Sequence, residues 1–175
     1  AGIWGGRRIA ASDGGGIHIE PIADNVEKLA DLKPVFSFEE SDFQKAIDAY
    51  RKICEKLGTD RVYVSTPDLQ GPMNTLALLI DQTELMCGLF SEPEIIKDAL
   101  DKITDVIIEY VSKYINIIGA DKVIGNLWPY IIFPAKYGIS LTQDYMPLLS
   151  PEHYREFEIP LLKRISDKFG GVFIH

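Results

Sequence analysis

The chain has 175 residues, a formal charge of −8, 46% hydrophobic and 25% charged residues, the balance of an ordinary globular protein. That composition excludes disordered, collagen-like and low-complexity classes. The acidic charge argues against a nucleic acid or an anionic membrane surface as partner.

The length suits one domain with a core burying roughly 70% of the unfolded chain's surface. Residues 1–16 hold six glycines and Arg7-Arg8, and read as a loop or arm preceding a domain over 17–175. Ile17–Glu20 alternates apolar and polar before Pro21, which predicts a short edge strand. A short helix is expected over Asp24–Leu32. A longer one over Ser41–Leu57 has Phe43, Ala46, Ile47, Tyr50, Ile53, Cys54 and Leu57 on one stripe and Gly58 as its stop. Arg61–Ser65 predicts a strand, Thr66–Asn74 a Pro- and Gly-containing loop, and Thr75–Ile80 and Thr83–Phe90 two helical segments.

Glu92–Ile118 is the longest predicted helix, with Ser91 as N-cap and Pro93 in its first turn. Lys122–Asn126 follows as a strand. Ser150-Pro151-Glu152 repeats the cap pattern and opens a helix to Lys168, with a kink expected near Glu156 because Pro160 lies inside it. Gly171–His175 reads as a last strand. Strands alternating with helices of this length define the α/β class and predict a parallel sheet, with the strands near 62–65, 122–126 and 171–175 side by side.

Ligands of parallel α/β folds bind beyond the carboxyl ends of the strands. Here those ends lead into Asp68 and Gln70, into Trp128 and Tyr130, and into His175, while Gln143 and Asp144 lie in a fourth polar segment. A shared sheet end would gather Gln70, Trp128, Asp144 and His175 around one cavity, Trp128 or Tyr130 supplying a flat wall. Each residue also has a plainer reading. Asp68 suits a turn cap, Asn74 a helix N-cap, Trp128 core packing, Asp144 a loop bend, Cys54 the core, and Arg7 and Arg8 solvent. His153, one turn into a helix, reads as solvent-exposed. No P-loop, dinucleotide fingerprint, nucleophile elbow or His-Glu-x-x-His is present. The two cysteines make no disulfide framework, which points to a reducing cytoplasm. No stretch reaches the ~18 apolar residues of a membrane span.

Asp68-Leu69-Gln70-Gly71-Pro72-Met73-Asn74-Thr75 resembles a loop of the uroporphyrinogen decarboxylase superfamily. Glu92-Pro93-Glu94-Ile95-Ile96 is similar to its acidic-Pro-Glu helix start. Gly119-Ala120-Asp121 before a strand, Asp144 ahead of Leu149-Ser150-Pro151-Glu152-His153-Tyr154-Arg155-Glu156-Phe157, and Gly170–His175 continue the series in order. The resemblance implies a (β/α)8 barrel of the TIM type, roughly twice this length, of which the chain holds part.

It further implies an enzyme of one of two kinds. One decarboxylates the acetate arms of uroporphyrinogen, in porphyrin biosynthesis, without a cofactor. The other moves methyl groups between a corrinoid protein and a thiol, using zinc held by a His-x-Cys pair and a later Cys. Methyl transfer is the reading preferred here, with a non-catalytic corrinoid- or small-molecule-binding protein as a third. At these strand ends Asp68 and Asp144 are the catalytic candidates, and Gln70, Trp128, Tyr130 and Gln143 the expected contacts of a tetrapyrrole-like or methylated substrate. His175 matches the first zinc ligand of the methyltransferases. Zinc and a corrinoid are expected only in the intact protein, since these residues offer a single imidazole where a catalytic zinc needs three protein ligands.

Overall fold

A computed structural model describes residues 2–10, 17–127 and 131–175. The chain begins with a turn of 3₁₀ helix, Gly2–Trp4, and a strand β1 (Arg7–Ala10) inside the stretch read from sequence as an arm. β1 pairs antiparallel with β2 (Ile17–Glu20), and Trp4 is buried. Arg7 donates to Glu20 and Arg8 to Asp42, each at 2.8 Å.

Val26–Asp31 forms 3₁₀ helix. It is followed by α1 (Asp42–Leu57), β3 (Val64–Ser65), α2 (Pro72–Ala77), α3 (Gln82–Ser91) and the 26-residue α4 (Pro93–Ile118). The long period of apolar residues makes α4 the spine of the core: Ile96, Ala99, Leu100, Ile103, Ile107 and Val111 on its inner face are buried against α2, α3 and the helices near both ends of the chain. Only Phe43 and Ile47 of the α1 stripe are buried. The expected cap of α4 is corrected by the structure. Ser91 is the last residue of α3, its hydroxyl turned back to the Cys87 carbonyl, and Glu92 stands at the N-cap position.

β4 (Val123–Leu127) pairs parallel with β3 and antiparallel with β5 (Ile131–Pro134). Gly125 permits that hairpin, because a Cβ there would stand 2.1 Å from the Phe133 ring. β6 (Ile139–Leu141) pairs parallel with β7 (Val172–Ile174). The sequence expectation that residues 122–126 and 171–175 are neighbours is therefore corrected. β6 is the partner of β7, while the Ser140 hydroxyl donates to the Asn126 carbonyl at 2.7 Å beside β4. Between β6 and β7 run α5 (Pro151–His153), a π-helical turn Tyr154–Glu158, and α6 (Ile159–Phe169). The widened turn lies where a kink is expected. Pro160 has no N–H for the Glu156 carbonyl and its ring would strike that group, and the π turn accommodates both.

Candidate functional site at the strand ends

Past β3 the chain passes from its own sheet to the end of β6. Gln70 forms a parallel bridge to Thr142, with the Gly71 N–H on the Thr142 carbonyl at 2.9 Å and the Thr142 N–H on the Leu69 carbonyl at 2.8 Å. Past β6, the Gln143 N–H donates to the His175 carbonyl at 2.8 Å, and the His175 N–H donates to Leu141 at 3.0 Å. The carboxyl ends of β6 and β7 and the loop after β3 are thus joined by main-chain bonds. Asp68, Gln70, Gln143 and His175 are brought to that one end.

Side chains add a second layer. Asp68 accepts from the Thr142 hydroxyl at 2.9 Å. Asn74 is not an N-cap. It lies within α2, buried, its amide donating to Gln70 Oε1 at 2.9 Å while its oxygen accepts the Tyr145 N–H at 2.8 Å. Asn74 therefore holds two loops of the site together, a role open to an amide because it both donates and accepts.

Asp68 and Gln70 also line a cleft of about 480 Å³. Its apolar wall includes Trp4, Phe38, Ile103 and Tyr110, and its charged groups are Arg8, Glu40, Asp42 and Asp68. Arg8 is taken by Asp42, whose carboxyl is held below the usual range by Lys45 and then by Arg8. Glu40 is lowered by hydrogen bonds from the Ser37 N–H and hydroxyl. Burial pushes the Tyr110 phenol up, so it meets the cleft uncharged.

Asp144 and His175 are exposed and do not line this cleft. Gln143 does not face it either. Its side chain is buried and donates to Glu158. The expected single cavity thus divides: Gln70 stands on the cleft, while Asp144 and His175 stand at the same sheet end outside it. Trp128 and Tyr130 lie outside the described residues. His153, read as solvent-exposed, is half-buried with its ring 4.6 Å from Phe90 and 5.8 Å from Phe157. Sequence reasoning missed Glu158. The signal was present, for Glu158 precedes Leu161, Leu162 and Ile165 at helical spacings of three, four and seven and so falls on their buried face.

Among the described residues no three His, Cys, Asp or Glu side chains gather where a metal would sit. Cys54 is half-buried in α1 and Cys87 is exposed in α3. His175 alone does not make a catalytic zinc site, and no step is assigned to zinc. Among the described residues no helix is long and apolar enough to cross a membrane.

A strand-end site on a partly parallel sheet walled by helices is the arrangement of barrel enzymes. A sequence profile of the family described as uroporphyrinogen decarboxylase (URO-D) matches residues 6–174, and the chain belongs to that family. A solved structure, a methyltransferase from Methanosarcina mazei, superposes with a TM-score of 0.72 at 18% identity over 99% of this chain. That likeness speaks for the fold. The chain spans 48% of the methyltransferase chain, so what is seen is part of a (β/α)8 barrel. No curated protein matches.

Proposed function

We propose that this chain belongs to an enzyme that transfers a methyl group between a corrinoid protein and a thiol or related acceptor, at the strand ends described above. The observation that carries this reading is the charge of the cleft. Among the described residues it presents three carboxylates and a single guanidinium, and that guanidinium is already paired. Uroporphyrinogen is itself a carboxylate-bearing ring, and its binding calls for free cationic forks. A methyl donor or thiol makes no such demand. The name of the structural neighbour supports the same choice.

In this reading Asp68, steadied by Thr142, sets a negative edge on the cleft. Gln70 has its oxygen engaged by Asn74 and offers a substrate its NH₂ group as donor. The apolar wall gives a methyl donor and its acceptor a surface to pack against. His175 is the candidate first zinc ligand. Asp144, Trp128, Tyr130 and Gln143 stay in the proposal as its catalytic or substrate-side residues, Gln143 through its main chain and its bond to Glu158. A cytoplasmic location and a corrinoid-protein partner belong to the same proposal.

The test incubates the purified protein with methylcobalamin and a thiol. Thiol-dependent loss of the methylcobalamin spectrum, with methyl thioether formed, is expected, and Asp68→Asn is expected to slow it at least tenfold. Release of carbon dioxide from uroporphyrinogen without thiol methylation would replace this reading by decarboxylation. Cobalamin binding without either reaction would leave the non-catalytic reading.

A further inference from the structure

Among the described residues Glu158 is the only Asp, Glu, Lys, Arg or His that is buried, with 0% exposure. It sits at the end of the π turn and faces the Gln143 amide, which is 2% exposed and donates to Glu158 Oε1. Two further atoms of the pair, Gln143 Oε1 and Glu158 Oε2, are buried without a partner. With the carboxyl ionised, both are acceptors and neither finds a donor, a costly arrangement. With the carboxyl protonated, its O–H becomes a donor to Gln143 Oε1. A bond from that O–H to Gln143 Oε1 would close a ring of two hydrogen bonds between acid and amide and would satisfy both orphaned atoms.

We infer that Glu158 is carried as the neutral acid, and that its acid–amide pair with Gln143 is the positioning device of the strand-end site. The pair rests on the reading of the strand ends as the site. Gln143 is the right residue to hold, since its main chain meets the end of β7 and its neighbour Thr142 bonds both Leu69 and Gly71. There is no slack around it. A Cβ on Gly71 would stand 2.1 Å from Gln143 Nε2. Glu158 thus ties the helix after β6 to the point where three chain segments converge.

Burial raises the Glu158 carboxyl to about 7, against the lowering effect of the Gln143 bond and of the nearby Met73 N–H, which approaches the carboxyl without completing a hydrogen bond. The elements around it offer little charge. α2 has no ionisable side chain. The segment after β6 brings Asp144, which is exposed, and Tyr145; the end of β7 brings His175, also exposed. On its own helix Glu156 is tied to Lys97 of α4, and Asp101 and Asp105 of α4 are tied to Arg164. Burial, and after it the charge of Glu158, raises the Tyr154 phenol. Because the folded value lies above the ordinary carboxyl value, the native state holds the extra proton. The stability it contributes is full below the usual carboxyl range and is lost as pH rises to about 7.

The experiment compares wild type, Glu158→Gln and Glu158→Ala at pH 5.5 and 8.5. Infrared difference spectra of wild type should show a carboxylic-acid carbonyl band at the lower pH that vanishes at the higher and is absent from Glu158→Gln. Wild type should lose on the order of 5–10 °C in melting temperature across the range beyond what Glu158→Gln loses. Glu158→Gln, whose amide closes the same ring with an N–H donor, should melt like wild type at pH 5.5, and Glu158→Ala well below it. Amide resonances of Gly71 and Thr142 should titrate in wild type and stay fixed in Glu158→Gln. Absence of the acid band, destabilisation of Glu158→Gln equal to that of Glu158→Ala, or titration persisting in Glu158→Gln would each overturn the inference. None of these readouts needs methyl transfer. If they succeed and the thiol assay fails, the proposed reaction falls and the positioning pair stands.

Discussion

Asn74 shows how much a single amide carries here. It bonds the side chain of Gln70 in one direction and the main chain of Tyr145, 71 residues away, in the other. Asn74→Ala removes the acceptor of a buried N–H, and the orphaned Tyr145 donor should cost about 1–3 kcal/mol, read as a lower denaturant midpoint at unchanged slope. Gly71→Ala should cost about as much by overpacking, since the new methyl meets Gln143. If both variants unfold like wild type, the loops are not held as described. The sequence made Asp68 and Gln70 visible because they follow a strand and sit in a Pro- and Gly-bounded loop. It hid the role of Asn74, because a residue just inside a helix start reads locally as a cap, and only the fold brings Tyr145 to it.

At the level of elements, capping is legible wherever a short polar side chain precedes an apolar period. Ser41 and Ser150 both cap as their positions imply. The junction of α3 and α4 was misread because Ser91-Glu92-Pro93 offers two cap candidates in a row, and local sequence does not choose between them. α3 is capped by Asp81, whose Oδ1 accepts from the Thr83 and Glu84 N–H groups at 2.9 and 3.2 Å. Asp81→Ala should therefore destabilise by about 1 kcal/mol and Asp81→Ser by less. Equal melting temperatures for the two variants would remove the cap from the account. β5 and β6, of four and three residues, went unread for want of length. A three-residue strand shows no periodicity, and its assignment rests entirely on partners elsewhere in the chain.

For the whole molecule, the alternation of strand and long helix was enough to give the α/β class and the parallel pairing of β3 with β4. The order of strands was not, since order is a tertiary property of short segments. Stability is expected to be uneven in the same way. The β1–β2 ribbon is exposed along β1 and held by its own ladder and surface ion pairs, which add little. α4 buries its inner face completely. Native-state hydrogen exchange should show Arg8 and Ile19 opening at far lower free energy than Ile103 and Ile107. Equal protection in the two regions would mean that the ribbon is an integral part of the core.

The bridge between the loop after β3 and the end of β6 also has a kinetic meaning. Thr142 meets Asp68 across 74 residues of chain. Contacts so distant in sequence form only after a large loop has been closed, and they slow folding. During synthesis the ribosome must deliver β6 and Thr142 before the Gln70 main chain has its bridge partner. The cleft wall around α4 has its sequence in hand much earlier. A nascent chain would thus hold an apolar surface ready before the polar end that completes it, and this interval is when it most needs protection from other chains.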